Sequence, residues 1–279
     1  GYRLDLRSWR GRGFLALLIF LLSWTSSFLS NSTHEVLGHG FYISPIATSA
    51  AYLSSPPQGF PSMVEGFINA SGVLAQFICG VLPLALLSRY RGLPSRLTIL
   101  TFSFTALLNT GTYLFDSTAT ALLYDIRSTA LDTVGMSIHW EIPLETFLVI
   151  GFIATSIPTY YIFTKFLEVV GEHSLIQGRW NAFLTLITTF FTTRMIMILS
   201  GFLLEPSPEF YLVELAFTLS ILASHAALVS LRTKPTYPST YGVIPVSFVN
   251  NVCLSSTLTT LLWIGAFGAT VDVAHGIFF

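Results

Sequence analysis

Of the 279 residues in this chain, 52% are hydrophobic, 14% aromatic and only 10% charged, and the mean hydropathy is +0.69. A soluble domain carries charge on about a quarter of its residues, so the composition excludes an ordinary soluble protein and predicts an all-α, polytopic membrane protein surrounded by membrane lipid. The net charge of −1, with no sizeable soluble basic region, argues against nucleic acid as a partner.

The chain opens with Arg3, Arg7, Arg10 and Arg12, followed by an apolar run from Phe14 to Leu29. That run has no clear small-residue cleavage site and reads as a retained helix, not a signal peptide. Further runs near 63–88, 97–115, 142–166, 181–204, 209–231 and 252–275 approach the roughly 20 residues needed to cross a bilayer. The expectation is a bundle of about seven transmembrane helices, forming a single membrane domain over 1–279. Residues 41–61, with Ser44-Pro45, Ser55-Pro56-Pro57 and Gln58-Gly59, predict a hairpin-like insertion after the first helix. The second helix begins Glu65-Gly66-Phe67-Ile68-Asn69-Ala70-Ser71-Gly72, rich in small residues that predict a close approach to its neighbour.

Short cytoplasmic loops are enriched in Lys and Arg. With the N-terminus cytoplasmic, all but Arg127 and Arg194 of the 13 basic residues fall inside, and the C-terminus lies outside. His34, Glu35, His39, Asp116, Asp125, Asp132, His139, Glu141, Asp272 and His275 then collect on the outer side. Arg194, mid-way along the fifth span, requires a counter-ion or a route to water; Glu145 and Glu214 are the candidates, in a structural pair or along a substrate or proton path. Cys79 and Cys253 read as small buried hydrophobes, and His225 as a packing residue. Glu168, Glu172 and His173 read as a solvated inner loop, and 232–251 as a connector.

The stretch Ser32-Thr33-His34-Glu35-Val36-Leu37-Gly38-His39-Gly40 closes the first span. In an H-E-x-x-H helix the two imidazoles share a face and bind zinc while the Glu acts as general base. Here one residue is added, giving H-E-x-x-x-H, and in an α-helix that spacing sets the imidazoles roughly 140° apart. A single-turn π-bulge, or a helix ending at Gly38, would bring them together.

The order of apolar helix, His-Glu-x-x-Gly-His, hairpin-like segment and small-residue helix (Asn69 to Gln76) resembles the site-2-protease family of intramembrane zinc metalloproteases. The resemblance spans 14–140, leaving 141–279 as additional transmembrane helices. It implies that His34 and His39 are zinc ligands, that Glu35 is the catalytic base, and that an acidic residue downstream is the third ligand. Asp116, ending the Asn109–Asp116 stretch with Ser117 where the family has glycine, occupies that place; Asp132 and His139 are the alternatives. The implied substrate is a membrane protein, and the implied cofactor Zn2+, although His and carboxylate ligands also suit iron, manganese or copper. The other reading is a non-catalytic membrane subunit that keeps the protease-like core as a scaffold within a larger complex.

Overall fold

A computed structural model describes residues 1–39, 62–125, 131–174, 176, 178–204, 208–235 and 242–278, without the side chains of Arg3, His39, Ser62, residues 200–211 and those beyond 264. The predicted hairpin-like insertion lies outside these residues. The described chain is almost entirely helical, and five of its helices are long and apolar enough to cross a membrane: Trp9–Gly38, Met63–Arg89, Thr146–Gly171, Arg179–Leu199 and Leu212–Arg232.

Helix α1 (Trp9–Ser32) is capped by Ser8, whose hydroxyl accepts the Gly11 N–H at 3.0 Å, and it continues without a break into a π-helical stretch, Thr33–His39. Helix α2 (Ser62–Leu86) follows. Helix α3 (Leu93–Leu123) starts with Pro94 in its first turn, where the missing N–H costs nothing. The short α4 (Asp132–Trp140) ends at Glu141, in the left-handed conformation with φ 55°. Then come α5 (Thr146–Gly171), α6 (Arg179–Leu186), a second π turn (Ile187–Phe191), α7 (Thr192–Leu204), α8 (Pro208–Arg232) and α9 (Val246–Phe278).

At 31 residues, α3 is about 46 Å long, ample to span a bilayer, yet it is not among the five apolar helices. Every residue from Ser103 to Thr112 is buried. A helix enclosed by other helices needs no lipid-facing side, so Ser, Thr and Asn are tolerated along it where their hydroxyls and amides find partners. Thr105 and Thr110, for example, donate to carbonyls one turn back at 2.9 Å. The outer helices carry the lipid-facing surface instead, with Leu74, Leu82, Ile153, Ile157, Leu228, Leu258 and Leu261 exposed.

The main core joins Leu15, Leu18 and Ile19 of α1, Leu97, Leu100 and Phe104 of α3, and Ile162, Phe163 and Phe166 of α5. Phe190, in the second π turn, lies at its centre, with ring centroids 4.6 Å from Phe104, 5.0 Å from Phe163 and 4.7 Å from Phe166. A smaller cluster of Val73, Leu114, Met136 and Phe147 packs with Tyr113 and Trp140 at the other end of the bundle.

The loop read as solvated around His173 is packed. Strand β1 (Tyr2–Arg3) pairs antiparallel with β2 (Val243–Ile244), and Leu6 N donates to Ser174 Oγ at 3.2 Å. Leu4, Leu6, Ile176 and Ile244 are completely buried there. Glu172 and Glu168 face outward and pair with Arg96 and Lys165. Both cysteines are free, but neither is buried, contrary to expectation: Cys79 is half-buried and Cys253 is exposed on α9.

The close approach expected for α2 is present. A Cβ added at Gly38 would lie 2.3 Å from Gly72 Cα and 2.9 Å from the Ser71 carbonyl oxygen, backbone against backbone, so no side chain can yield. Gly38→Ala is therefore expected to lower stability by about 1–3 kcal/mol, the usual cost of overpacking, read as a lower melting temperature in detergent. An unchanged melt would mean that the contact is looser than described.

Candidate functional site

The extra residue in His34-Glu35-Val36-Leu37-Gly38-His39 is taken up by the π-helical turn over Thr33–His39. Hydrogen bonding from i to i+5 brings residues five apart back to the same side of the helix. Backbone positions 34 and 39 thus share a side, which an α-helix would deny them. The wider turn is pressed onto α2 at the Gly38–Gly72 contact.

His34 is buried, and its Nε2 lies 3.0 Å from Asp132 Oδ2. Its ring meets Tyr113 edge-on, with centroids 5.5 Å apart. Asp132 is the first residue of α4, where the helix dipole favours a negative charge. Its own N–H donates to the Tyr113 hydroxyl at 3.5 Å, and the same hydroxyl lies within electrostatic reach of half-buried Glu35. His34, Glu35, Asp132 and Tyr113 are therefore gathered at one end of the bundle, contributed by α1's π extension, α4 and α3.

Helix α4, which carries Asp132, is fixed along its length. His139 Nε2 lies 3.1 Å from Glu65 Oε2 on α2. The Trp140 indole N–H donates to the Met63 carbonyl at 3.3 Å, and the Ser117 and Thr133 hydroxyls are 3.0 Å apart. Gly66 and Gly135 leave room for Trp140 and Asn69. His139, an alternative ligand on sequence grounds, is thus engaged with Glu65.

Asp116 belongs to a different group. Asn109, Thr112 and Asp116, at i, i+3 and i+7, form one stripe of α3, while Tyr113 and Ser117 form the next. The second stripe meets α4 at Asp132 and Thr133. The first meets Arg194 of α7, which donates to Asn109 Oδ1 at 2.7 Å and Thr112 Oγ1 at 3.4 Å and pairs with Glu214 of α8. Glu214 and Arg194 are the charged groups that act on Asp116. Of the two counter-ions considered for Arg194, the structure selects Glu214.

Asn69 and Tyr113 were not singled out from the sequence. Asn69 is buried beside Gly135 with its amide nitrogen unpartnered among the described residues. A polar amide within the apolar α2 was the available signal. His225 donates from Nδ1 to the Ile221 carbonyl at 2.8 Å, the packing role expected of it. The side chains of Asp272 and His275 lie outside the described residues.

No protein-family model, curated protein or solved structure matches this chain.

Among the described side chains no three His, Cys, Asp or Glu residues form a group that could hold a metal ion; that of His39 lies outside them. The donors that are described do suit one. Two ligands each about 2.0–2.1 Å from a tetrahedral zinc ion stand about 3.3 Å apart, and His34 Nε2 and Asp132 Oδ2 are separated by 3.0 Å.

Proposed function

We propose that the chain is a membrane-embedded zinc metalloprotease, similar to the site-2-protease family, that hydrolyses a peptide bond of a membrane-protein substrate in or near the bilayer. His34, His39 and Asp132 would hold the ion, and Glu35 would be the general base. The observation that carries this reading is the π-helical turn at Thr33–His39, the distortion needed to turn H-E-x-x-x-H into a one-sided pair.

Bound zinc would supply a Lewis acid that polarises the scissile carbonyl. Glu35 accepts the proton of the attacking water and returns it to the leaving amine. The Tyr113 hydroxyl, accepting the Asp132 N–H, orients the start of α4 and with it the carboxylate. The Glu65–His139 pair holds the far end of the same helix.

The arrangement also supports a seven-span bundle with the N-terminus and the His/Glu motif on opposite sides; the placement of the N-terminus in the cytoplasm rests on the Lys and Arg distribution. Residues 2–6, 174 and 242–244 meet at one end, which requires an even number of crossings between them. Counting α3 as a span gives that parity at both contacts, and omitting it breaks both.

One observation favours the scaffold reading: His34 and Asp132 already satisfy each other at 3.0 Å. Elemental analysis of the purified protein separates the two. The expected result is one zinc per chain, lost in His34→Ala and Asp132→Ala and kept in Asp116→Asn. A metal-free native protein prepared without chelators, or zinc retained by His34→Ala, would overturn the protease reading and leave the scaffold.

A further inference from the structure

The Arg194 group is separate from the His34 site and has a charge count of its own. Three ionisable side chains meet between α3, α7 and α8: Asp116 is 1% exposed, Glu214 7% and Arg194 8%. The two terminal nitrogens of Arg194 are committed to Glu214, Asn109 and Thr112, while its buried Nε has no hydrogen-bond partner among the described residues; Asn109 is braced in turn by donating to Ser27 Oγ of α1 at 3.3 Å. Asp116 has no such share. Neither of its carboxyl oxygens has a hydrogen-bond partner among the described residues. Phe115, next to it on α3, stacks on Phe217 of α8 with centroids 3.6 Å apart and planes 5° from parallel.

Two carboxylates and one guanidinium sum to a net negative charge in the buried interior. A buried charge persists only when paired, and otherwise the group takes the neutral form. Among the described residues, the helices around Asp116 supply no second cation. Helix α8 presents Glu214 and, one turn on, the buried Thr218 hydroxyl, and α7 presents Arg194; further back along α3, Ser27 of α1 lies at Asn109 and Thr155 of α5 at Gly111. Tyr113, one turn back on α3, is engaged with Asp132. Two nearby carboxyls that compete for one cation hold a proton as a pair.

We propose that the seam between α3, α7 and α8 is a binding site for one exchangeable proton, held by the Asp116–Glu214 pair against the single fixed charge of Arg194. With Glu214 paired to Arg194 the proton resides on an Asp116 carboxyl oxygen. If Glu214 loses its charge, Asp116 releases the proton and becomes the counter-ion.

Infrared spectroscopy of the purified full chain in detergent at neutral pH tests this. The native protein is expected to show a protonated-carboxyl C=O stretch that shifts in deuterium oxide. Asp116→Asn and Glu214→Gln each leave one carboxylate facing one guanidinium, so both should fold, melt cooperatively and lack the band. The double variant strands Arg194 and should fail to yield folded protein. Absence of the band in the native chain, its persistence in Asp116→Asn, or failure of either single variant to fold would each overturn the proposal.

Discussion

Glu35→Gln is expected to slow peptide hydrolysis by about 10²- to 10⁴-fold, the usual contribution of a general base, while zinc content and melting temperature stay at native values. The amide matches the carboxylate in volume and still accepts a hydrogen bond, but it cannot take up the proton of the attacking water. Glu35 is half-buried in the π-helical turn, and the tight contact of that turn with α2 is made by Gly38, so the substitution leaves the packing alone. Cleavage of membrane-protein substrates by native and variant chains in detergent, with zinc measured on the same samples, is the appropriate readout. A Glu35→Gln protein that cleaves at the native rate would remove Glu35 from the chemistry.

Arg194→Ala is expected to cost about 3–5 kcal/mol of stability, the range seen when one partner of a buried ion pair is removed. The substitution deprives Glu214 of its counter-ion and Asn109 and Thr112 of their donor, all inside the bundle, and leaves the volume of a long side chain unfilled. Arg194→Lys should fall between native and alanine. It restores the charge, but one ammonium cannot reproduce the fork that reaches three partners on two helices. Thermal or denaturant unfolding of the three proteins in the same detergent gives the order native, Lys, Ala; equal stability of native and Ala would show that Arg194 reaches water instead.

What the sequence made legible was local. Hydropathy located α1, α2, α5, the α6–α7 helix and α8, and the irregular spacing of the His-Glu motif called for either a π turn or a helix ending at Gly38, of which the π turn appears at Thr33–His39. Small residues at 66–72 announced a close helix contact, which Gly38 and Gly72 make. The choice between Asp116 and Asp132 was not legible in chain order, because order carries no helical phase. Phase was nevertheless present: Asn109, Thr112 and Asp116 repeat at i, i+3 and i+7 and face the lone mid-span Arg194, whereas Tyr113 and Ser117 lie on the adjacent stripe that meets Asp132 and Thr133. The loop at His173 looked solvated because its own residues are charged. The groups that bury its neighbours, Leu4, Leu6 and Ile244, come from far along the chain, and no local pattern reports them.

The pairing of β1 with β2 has a consequence for how the protein is made. Ribosomes deliver residues 2–6 long before residues 242–244, and Leu4 and Leu6 have no buried place to go until Ser174, Ile176 and Ile244 arrive. Through most of synthesis residues 2–6 are therefore without the partners that pair with them and bury Leu4 and Leu6. Their docking is completed only after the helix ending at Arg232 has been made, so residues 2–6 reach their final position later than the helices that follow them.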